Sequence, residues 1–354
     1  MKNGLRRLRV ALARLPKNAR SNRYWVFWGG TLYLSKFAQG EGCPRTLSDF
    51  QMYLRWSKYL NWGAASPSRS AIYVSELGMF GNMTRRLANG LLASSLENFG
   101  GLIVPSNVIF EGRVFRKGIH GQENLPSIYF GEEPIAKRNA TEVLFRGNLF
   151  SEIALNEIHQ SEEIDRVWER IYSLLRKLPS TKPKTEAHLT IHLRGGDVFG
   201  PRKPRAYGQP PLSYYEFVLN LEPWEEVTIV HEGDSNPVLP GLEELCHSRG
   251  IRVRLINGSL ENDIAVLLEA TCLVAGRGTF VPAIAGLSRN CKKLFYFEDK
   301  CKLVPRRSGI QLIRVFDARG IYRQGLLSNN WENSIEQREM MLHYSISNLS
   351  LGDA

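Results

Sequence analysis

No run of 18 apolar residues occurs anywhere in the 354-residue chain, so no conventional membrane-spanning helix is expected. There is no CxxC pair and no histidine spacing of the kind that holds zinc. The five cysteines (Cys43, Cys246, Cys272, Cys291 and Cys301) are an odd number, which argues against a fully paired disulfide framework. Cys272 lies in an apolar run and reads as a small buried residue. The basic start lacks the uninterrupted apolar core of a signal peptide, and neither an internal repeat nor a low-complexity segment is present. Asn-x-Ser/Thr triplets begin at Asn82, Asn139, Asn257 and Asn348, but chance supplies such triplets and they assign no secretory location.

What remains is the composition of an ordinary globular protein, 43% hydrophobic and 23% charged. Its net charge of +11 is unevenly spread. Lys2, Arg6, Arg7, Arg9, Arg14, Lys17 and Arg20 carry seven of those charges, with no acid among the first twenty residues. Leu5, Leu8, Val10, Leu12 and Leu15 interleave with them, so this leader reads either as a solvated terminus or as a segment lying on an anionic membrane surface. The aromatic stretch at 24–38, broken by Gly29 and Gly30, reads as an apolar packing segment or a shallow membrane contact. The expected location is the cytoplasm, with peripheral membrane contact through residues 1–38 and a Golgi-type placement left open.

Four segments are expected: a basic helical or irregular extension (1–70, with a helix at 46–62), an α/β unit (71–180), a second α/β unit (185–325) and a terminal helix packing back across the molecule (326–354). Apolar residues at 87, 91, 92 and 96 keep helical spacing after a glycine loop. Ser161, Glu162 and Glu163 open a further helix lined by Ile164, Val167, Ile171, Leu174 and Leu178. Beyond the break at 179–184, short β-rich runs alternate with helical ones, the pattern of a parallel sheet with crossover helices. Such sheets bind ligands beyond the carboxyl ends of their strands.

Three strand ends carry chemistry. His188, Thr190 and His192 alternate with Leu189, Ile191 and Leu193, predicting a half-buried strand that ends in Arg194, Gly195, Gly196 and Asp197. A guanidinium fork there suits two phosphate oxygens, or forms a structural ion pair with Asp197. A second turn places Gly276, Arg277 and Gly278 before Thr279 and Phe280, where a helix N-terminus favours an anion or is merely an ordinary turn. Asp263 opens the preceding helix, either as a first-turn acid or as a carboxylate facing a base or ribose. A third loop joins Glu76 to Gly78, Gly81 and Asn82, a close backbone approach beside a carboxylate that faces either a cleft or solvent.

In order and spacing these blocks resemble the GDP-fucose-using fucosyltransferases, above all the α-1,2-fucosyltransferase family. The counterparts are LGMFGNMTRRLANGLLA (77–93), HLRGGD (192–197), PPLSYYEFVL (210–219) and NDIAVLLEATCLVAGRGTFVPAIAGL (262–287), so the resemblance spans 71–297. It implies a GT-B-like fold, two Rossmann-like domains facing a cleft, and inverting, metal-independent transfer of a sugar from a nucleotide donor. His192 would then lie against guanine, Arg194 on the β-phosphate and Asp263 at the guanine edge. Gly196, Asp197, Arg277, Gly278, Thr279 and Phe280 would complete the donor pocket. Two departures stand out: the family's second arginine is Gly195, for which Arg277 is the proposed replacement, and its tryptophan pair is replaced by FVPAIAG. The acceptor base is Glu76, Glu232 or Asp234.

The expected activity is therefore transfer of fucose from GDP-fucose to a glycan or lipid-linked oligosaccharide, with no cofactor or metal. The alternatives are another nucleotide sugar on the same fold, an inactive carbohydrate-binding relative, and a basic nucleic-acid-binding protein. The last needs a basic face on the folded body, whereas most of the surplus charge is in the leader.

Overall fold

The computed structural model describes residues 25–28, 31–34, 71–73, 78–96, 101–105, 107, 109–110, 113–114, 127–131, 144–146, 161–176, 178, 182–201, 205–298, 307–328 and 330–352. The basic leader, the helix expected at 46–62 and Glu76 lie outside them. The aromatic stretch forms two short strands, β1 (Trp25–Trp28) and β2 (Thr31–Leu34), paired antiparallel. Among the described residues no helix is long and apolar enough to cross a membrane.

The first α/β unit holds β3 (Ala71–Tyr73), α1 (Phe80–Leu96), β4 (Gly101–Pro105), β5 (Arg113–Val114), β6 (Ser127–Gly131) and β7 (Leu144–Arg146). Its strands form one parallel sheet in the order β5-β6-β4-β3-β7. Helix α2 (Ser161–Tyr172) follows.

The second unit begins with β8 (His188–Leu193), α3 (Leu212–Leu219), β9 (Glu226–His231), α4 (Val238–Ser248) and β10 (Arg252–Ile256). It continues with α5 (Leu260–Glu269), β11 (Cys272–Ala275), α6 (Phe280–Leu287), β12 (Lys293–Phe297) and β13 (Gln311–Asp317). The sheet order is β10-β9-β8-β11-β12-β13, all parallel. Counted within the unit this is 3-2-1-4-5-6, the doubly wound order whose direction reverses between the first and fourth strands. The carboxyl ends of β8 and β11 therefore flank the switch point, where such sheets open a crevice.

Helix α7 (Ile335–His343) starts with a capping box between Ser334 and Gln337, and packs on α3 and α4. The chain then adds β14 (Leu349–Gly352) antiparallel to β13. The C-terminal stretch thus adds an antiparallel strand to the edge of the second sheet.

Strand β8 corrects the expectation of half burial, because all six of its residues are buried. The alternation does sort the two faces. Leu189, Ile191 and Leu193 join the apolar cluster beneath α3 and α4. On the other face His188 meets Thr228 Oγ1 at 2.8 Å and His192 lies against Phe280. Strands on both sides and helices on both faces leave no solvent side, so polar residues here need internal partners.

Burial, followed by the charge of Lys184, lowers the His188 pKa from 6.5 to about 4, outweighing Glu226 at 3.7 Å. The unfolded chain therefore takes up this proton first, and stability is lost as pH falls from 6.5 towards 4. The loss attributable to His188 is on the order of 3 kcal/mol. Urea unfolding at stepped pH should show that slope in the wild type and a flatter one in His188→Gln. Equal slopes would remove His188 from the account.

The two units are joined by side chains. Phe80, Met83, Leu87 and Leu91 of α1 share one buried cluster with Val281, Ala283 and Ile284 of α6 and with Ile164, Val167 and Trp168 of α2. Each buried Phe, Met, Leu, Val or Ile among them contributes about 1.5–3 kcal/mol of hydrophobic transfer energy. Gly286 makes the fit possible, since a Cβ there would lie 2.8 Å from the Trp168 ring.

Candidate functional site

Arg194 leaves the end of β8 with its guanidinium held on three sides. Nη2 donates to both Asp197 carboxylate oxygens at 3.2 Å. The Tyr207 ring lies under the guanidinium carbon, 4.6 Å from its centroid. Gly278 lies against Nη1, where a Cβ would stand at 2.8 Å. The side chain is 21% exposed, so the cation is largely desolvated at the carboxyl end of β8. A planar fork so placed matches two oxygens of an anionic ligand. The ion pair with Asp197 is present as well, so the bland reading of this motif describes part of what Arg194 does.

Gly195 lies where the carboxyl ends of β8 and β9 close on each other. A Cβ there would fall 2.2 Å from the Glu232 carbonyl oxygen. The adjacent Gly196 amide donates to that same oxygen at 3.3 Å, and φ of Gly196 is +48°. The position of the family's second arginine therefore admits no side chain in this backbone.

Around Arg194 stands a set of titratable groups. His192, 3% exposed, has Nε2 3.6 Å from Glu232 Oε1 and its ring 4.9 Å from Phe280. Burial works against ionised Glu232, but contact with His192, the Arg194 charge and the Gly195 amide outweigh it and hold the carboxyl below its usual range. Asp263 is pushed the other way, mainly by burial, although its Oδ1 accepts from the Gly258 amide at 3.3 Å. Its helix is capped by Ser259, whose hydroxyl accepts from Asn262 N. Asp263 therefore braces its own helix entry while remaining in electrostatic reach of His192, Glu232 and His231. Asp234 is 89% exposed, beside His231.

The turn after β11 carries Thr279 to the N-cap of α6, where it makes no side-chain cap. Its hydroxyl instead donates to Asn82 Oδ1 at 2.7 Å. The expected glycine loop is thus the first turn of α1 at Gly81 and Asn82, and it reaches the turn of the second unit. A Cβ on Gly81 would stand 2.5 Å from the Thr279 carbonyl carbon, so only glycine allows this approach. Gly78, with φ of +69°, begins the loop beside Asn82 and Arg86. Phe80 packs edge-on against Phe280 at 5.4 Å, extending a ring ladder from His192 towards Phe110.

Arg277, the expected replacement for the second arginine, reaches the loop before α3. Its Nη1 donates to the carbonyls of Ala206 at 3.2 Å and Gly208 at 3.5 Å. Sequence reasoning missed the residues that hold these pieces. Gln209, 1% exposed, accepts from Arg277 N at 3.1 Å and donates to Tyr207 O at 2.8 Å. Its own carbonyl accepts from Tyr322 Oη at 2.7 Å. Asn236 Nδ2 donates to Arg194 O at 3.0 Å, and Trp331 Nε1 to Val198 O at 2.8 Å. These residues stand in loops or in the far C-terminal stretch, where no periodicity marks them.

The sequence matches no protein-family model. No curated protein matches it. Among solved structures it is similar to POFUT1 in complex with GDP-fucose, at 12% identity and a TM-score of 0.36 over 66% of this chain and 99% of that one. The structure of POFUT1 in complex with GDP is similar at 8% identity and a TM-score of 0.34, with the same coverage. The E. coli heptosyltransferase WaaC with ADP is similar at 10% identity and a TM-score of 0.35, over 69% of this chain and 93% of that one. Among the described residues no group of three or more His, Cys, Asp or Glu side chains is arranged to hold a metal ion.

Proposed function

We propose that this chain is an inverting glycosyltransferase of the GT-B type, binding a nucleotide sugar at the β8/β11 switch point. One observation carries the reading: three blocks far apart in sequence converge there. Thr279 bonds Asn82 at 2.7 Å, Phe280 lies on His192 at 4.9 Å, and Gly278 backs Arg194. Those are the blocks whose order resembles the GDP-fucose-using fucosyltransferases, and the convergence supports one shared role for them.

In the proposed reaction an acceptor hydroxyl attacks the anomeric carbon from the face opposite the diphosphate. The bond from that carbon to the diphosphate oxygen breaks, and negative charge grows on the leaving group. Arg194 meets that charge with a guanidinium already fixed by Asp197 and Tyr207, favouring the transition state over the ground state. The acceptor proton passes to a carboxylate. Glu232 is favoured for that role by its ionised, half-exposed side chain and its electrostatic contact with Arg194. The positive charge needed is supplied by the protein, and the reaction is proposed to proceed without metal. Fucose is the proposed sugar on the strength of the motif resemblance, with an oligosaccharide or lipid-linked glycan as acceptor.

A thermal-shift panel in EDTA tests this reading. GDP and GDP-fucose are expected to raise the unfolding midpoint, and UDP and CMP sugars to leave it unmoved. Stabilisation by UDP or CMP sugars alone would replace the donor while keeping the site; no response to any nucleotide would remove the enzyme class.

A further inference from the structure

The segment just before α3 supplies the Tyr207 ring beneath Arg194, and side chains from elsewhere in the second unit hold that segment in place. The Tyr207 ring lies face-on to the guanidinium at 4.6 Å. Tyr207 is itself held on both sides along the backbone. Arg277 Nη1 takes the carbonyls of its two neighbours, Ala206 and Gly208. Gln209 Nε2 takes the Tyr207 carbonyl at 2.8 Å and reaches Arg277 O at 3.3 Å. Gln209 is anchored in turn by Tyr322, whose backbone amide donates to Asp317 Oδ2 at 2.8 Å. Asp317 also accepts from Tyr344 Oη at 2.6 Å. A chain of buried partners thus runs from the C-terminal stretch to the ring under Arg194.

We infer that Tyr207 is a positioning residue for Arg194, and that Arg277 and Gln209 hold the collar presenting its ring rather than touching the donor. This rests on reading Arg194 as the diphosphate clamp. Asp197 fixes one edge of the guanidinium through Nη2, but an edge contact leaves the plane free to roll. The ring beneath the guanidinium carbon limits that freedom and holds the remaining N–H groups at the carboxyl end of β8. Stacking of this kind is worth about 0.5–2 kcal/mol, which corresponds to roughly 2- to 30-fold in an equilibrium constant.

Two measurements on the full chain test it. In the first, GDP binding is measured by calorimetry in EDTA for the wild type, Tyr207→Phe and Tyr207→Leu. The ring-keeping variant is expected to recover most of the wild-type affinity, and Tyr207→Leu to weaken binding by about tenfold. In the second, which needs no ligand, urea midpoints are compared for Tyr207→Leu, Arg194→Met and the double variant. The double variant is expected to lose less than the sum of the two single losses. Additive losses, or GDP binding by Tyr207→Leu equal to wild type, would overturn the proposal. A wild type that binds no GDP, combined with non-additive midpoints, would instead leave the stack standing and overturn the diphosphate reading of Arg194.

Discussion

Replacing Arg194 with alanine is expected to lower sugar transfer from GDP-fucose by on the order of 10²–10³-fold, or about 3–4 kcal/mol of transition-state stabilisation. The loss should appear chiefly in kcat, because the guanidinium is asked to meet charge that grows as the glycosidic bond breaks. The fold should survive. Asp197, the partner left behind, is 59% exposed and rehydrates, while Tyr207 loses only a stacked neighbour. Arg194→Lys keeps the charge but cannot reproduce the fork, and should recover only part of the rate. Steady-state kinetics with a circular-dichroism control decide the matter. A kcat for Arg194→Ala within threefold of wild type would assign Arg194 to the turn alone.

Gly195→Ala should be the most damaging single methyl group at the site. The added carbon would stand 2.2 Å from the Glu232 carbonyl oxygen and 3.0 Å from its carbon, both backbone atoms that cannot swing aside. Relief requires the ends of β8 and β9 to part, which breaks the hydrogen bond from Gly196 N to Glu232 O and shifts His192 and Arg194 together. Overpacking of this kind costs about 1–3 kcal/mol, and more where the neighbour is rigid backbone. Five residues on, Gly200→Ala is the control, since its Cβ would find its nearest neighbour at 3.5 Å. Urea unfolding should separate the two variants clearly, and equal midpoints would contradict the packing described. It follows that introducing an arginine as Gly195→Arg, as in the fucosyltransferases whose motif this one resembles, should destabilise the chain rather than improve donor binding.

The elements that could be read in the sequence are those in which periodicity and burial coincide. The alternation through His188–Leu193 located β8 and sorted its two faces correctly, since the leucines and isoleucine all meet the α3/α4 layer. It misjudged the polar face as solvated, because alternation records which residues differ and not what covers each side. The run of β-rich segments after residue 184 foretold a parallel sheet, but not its order. Order depends on which strands meet in space, and it is order that sets β8 beside β11.

At the site, Arg194 and the glycines were legible because a cation on a turn after a strand is a local pattern. Thr279 reads as standing at a helix end, where the structure places it, but its hydroxyl's bond to Asn82, a partner 197 positions away in the chain, carries no local signal. Arg277 is the expected replacement for the arginine that Gly195 displaces, and its Nη1 also bonds a loop that no local pattern would pair with it. Gln209 and Trp331 went unnoticed because they act on backbone atoms of distant turns, and Tyr207 because its partner, the Arg194 guanidinium, lies 13 positions away on another element. Glu76 lies outside the described residues, so its part in the chemistry rests on sequence alone.

Titration calorimetry with GDP, on the full chain in the presence of EDTA, bears most directly on the claim that the β8/β11 switch point holds a nucleotide diphosphate. The expected result is one site per chain for the wild type, with the heat of binding lost in Arg194→Ala although that variant stays folded and unfolds cooperatively. Undiminished GDP binding by a folded Arg194→Ala variant, or no binding by the wild type, would contradict it.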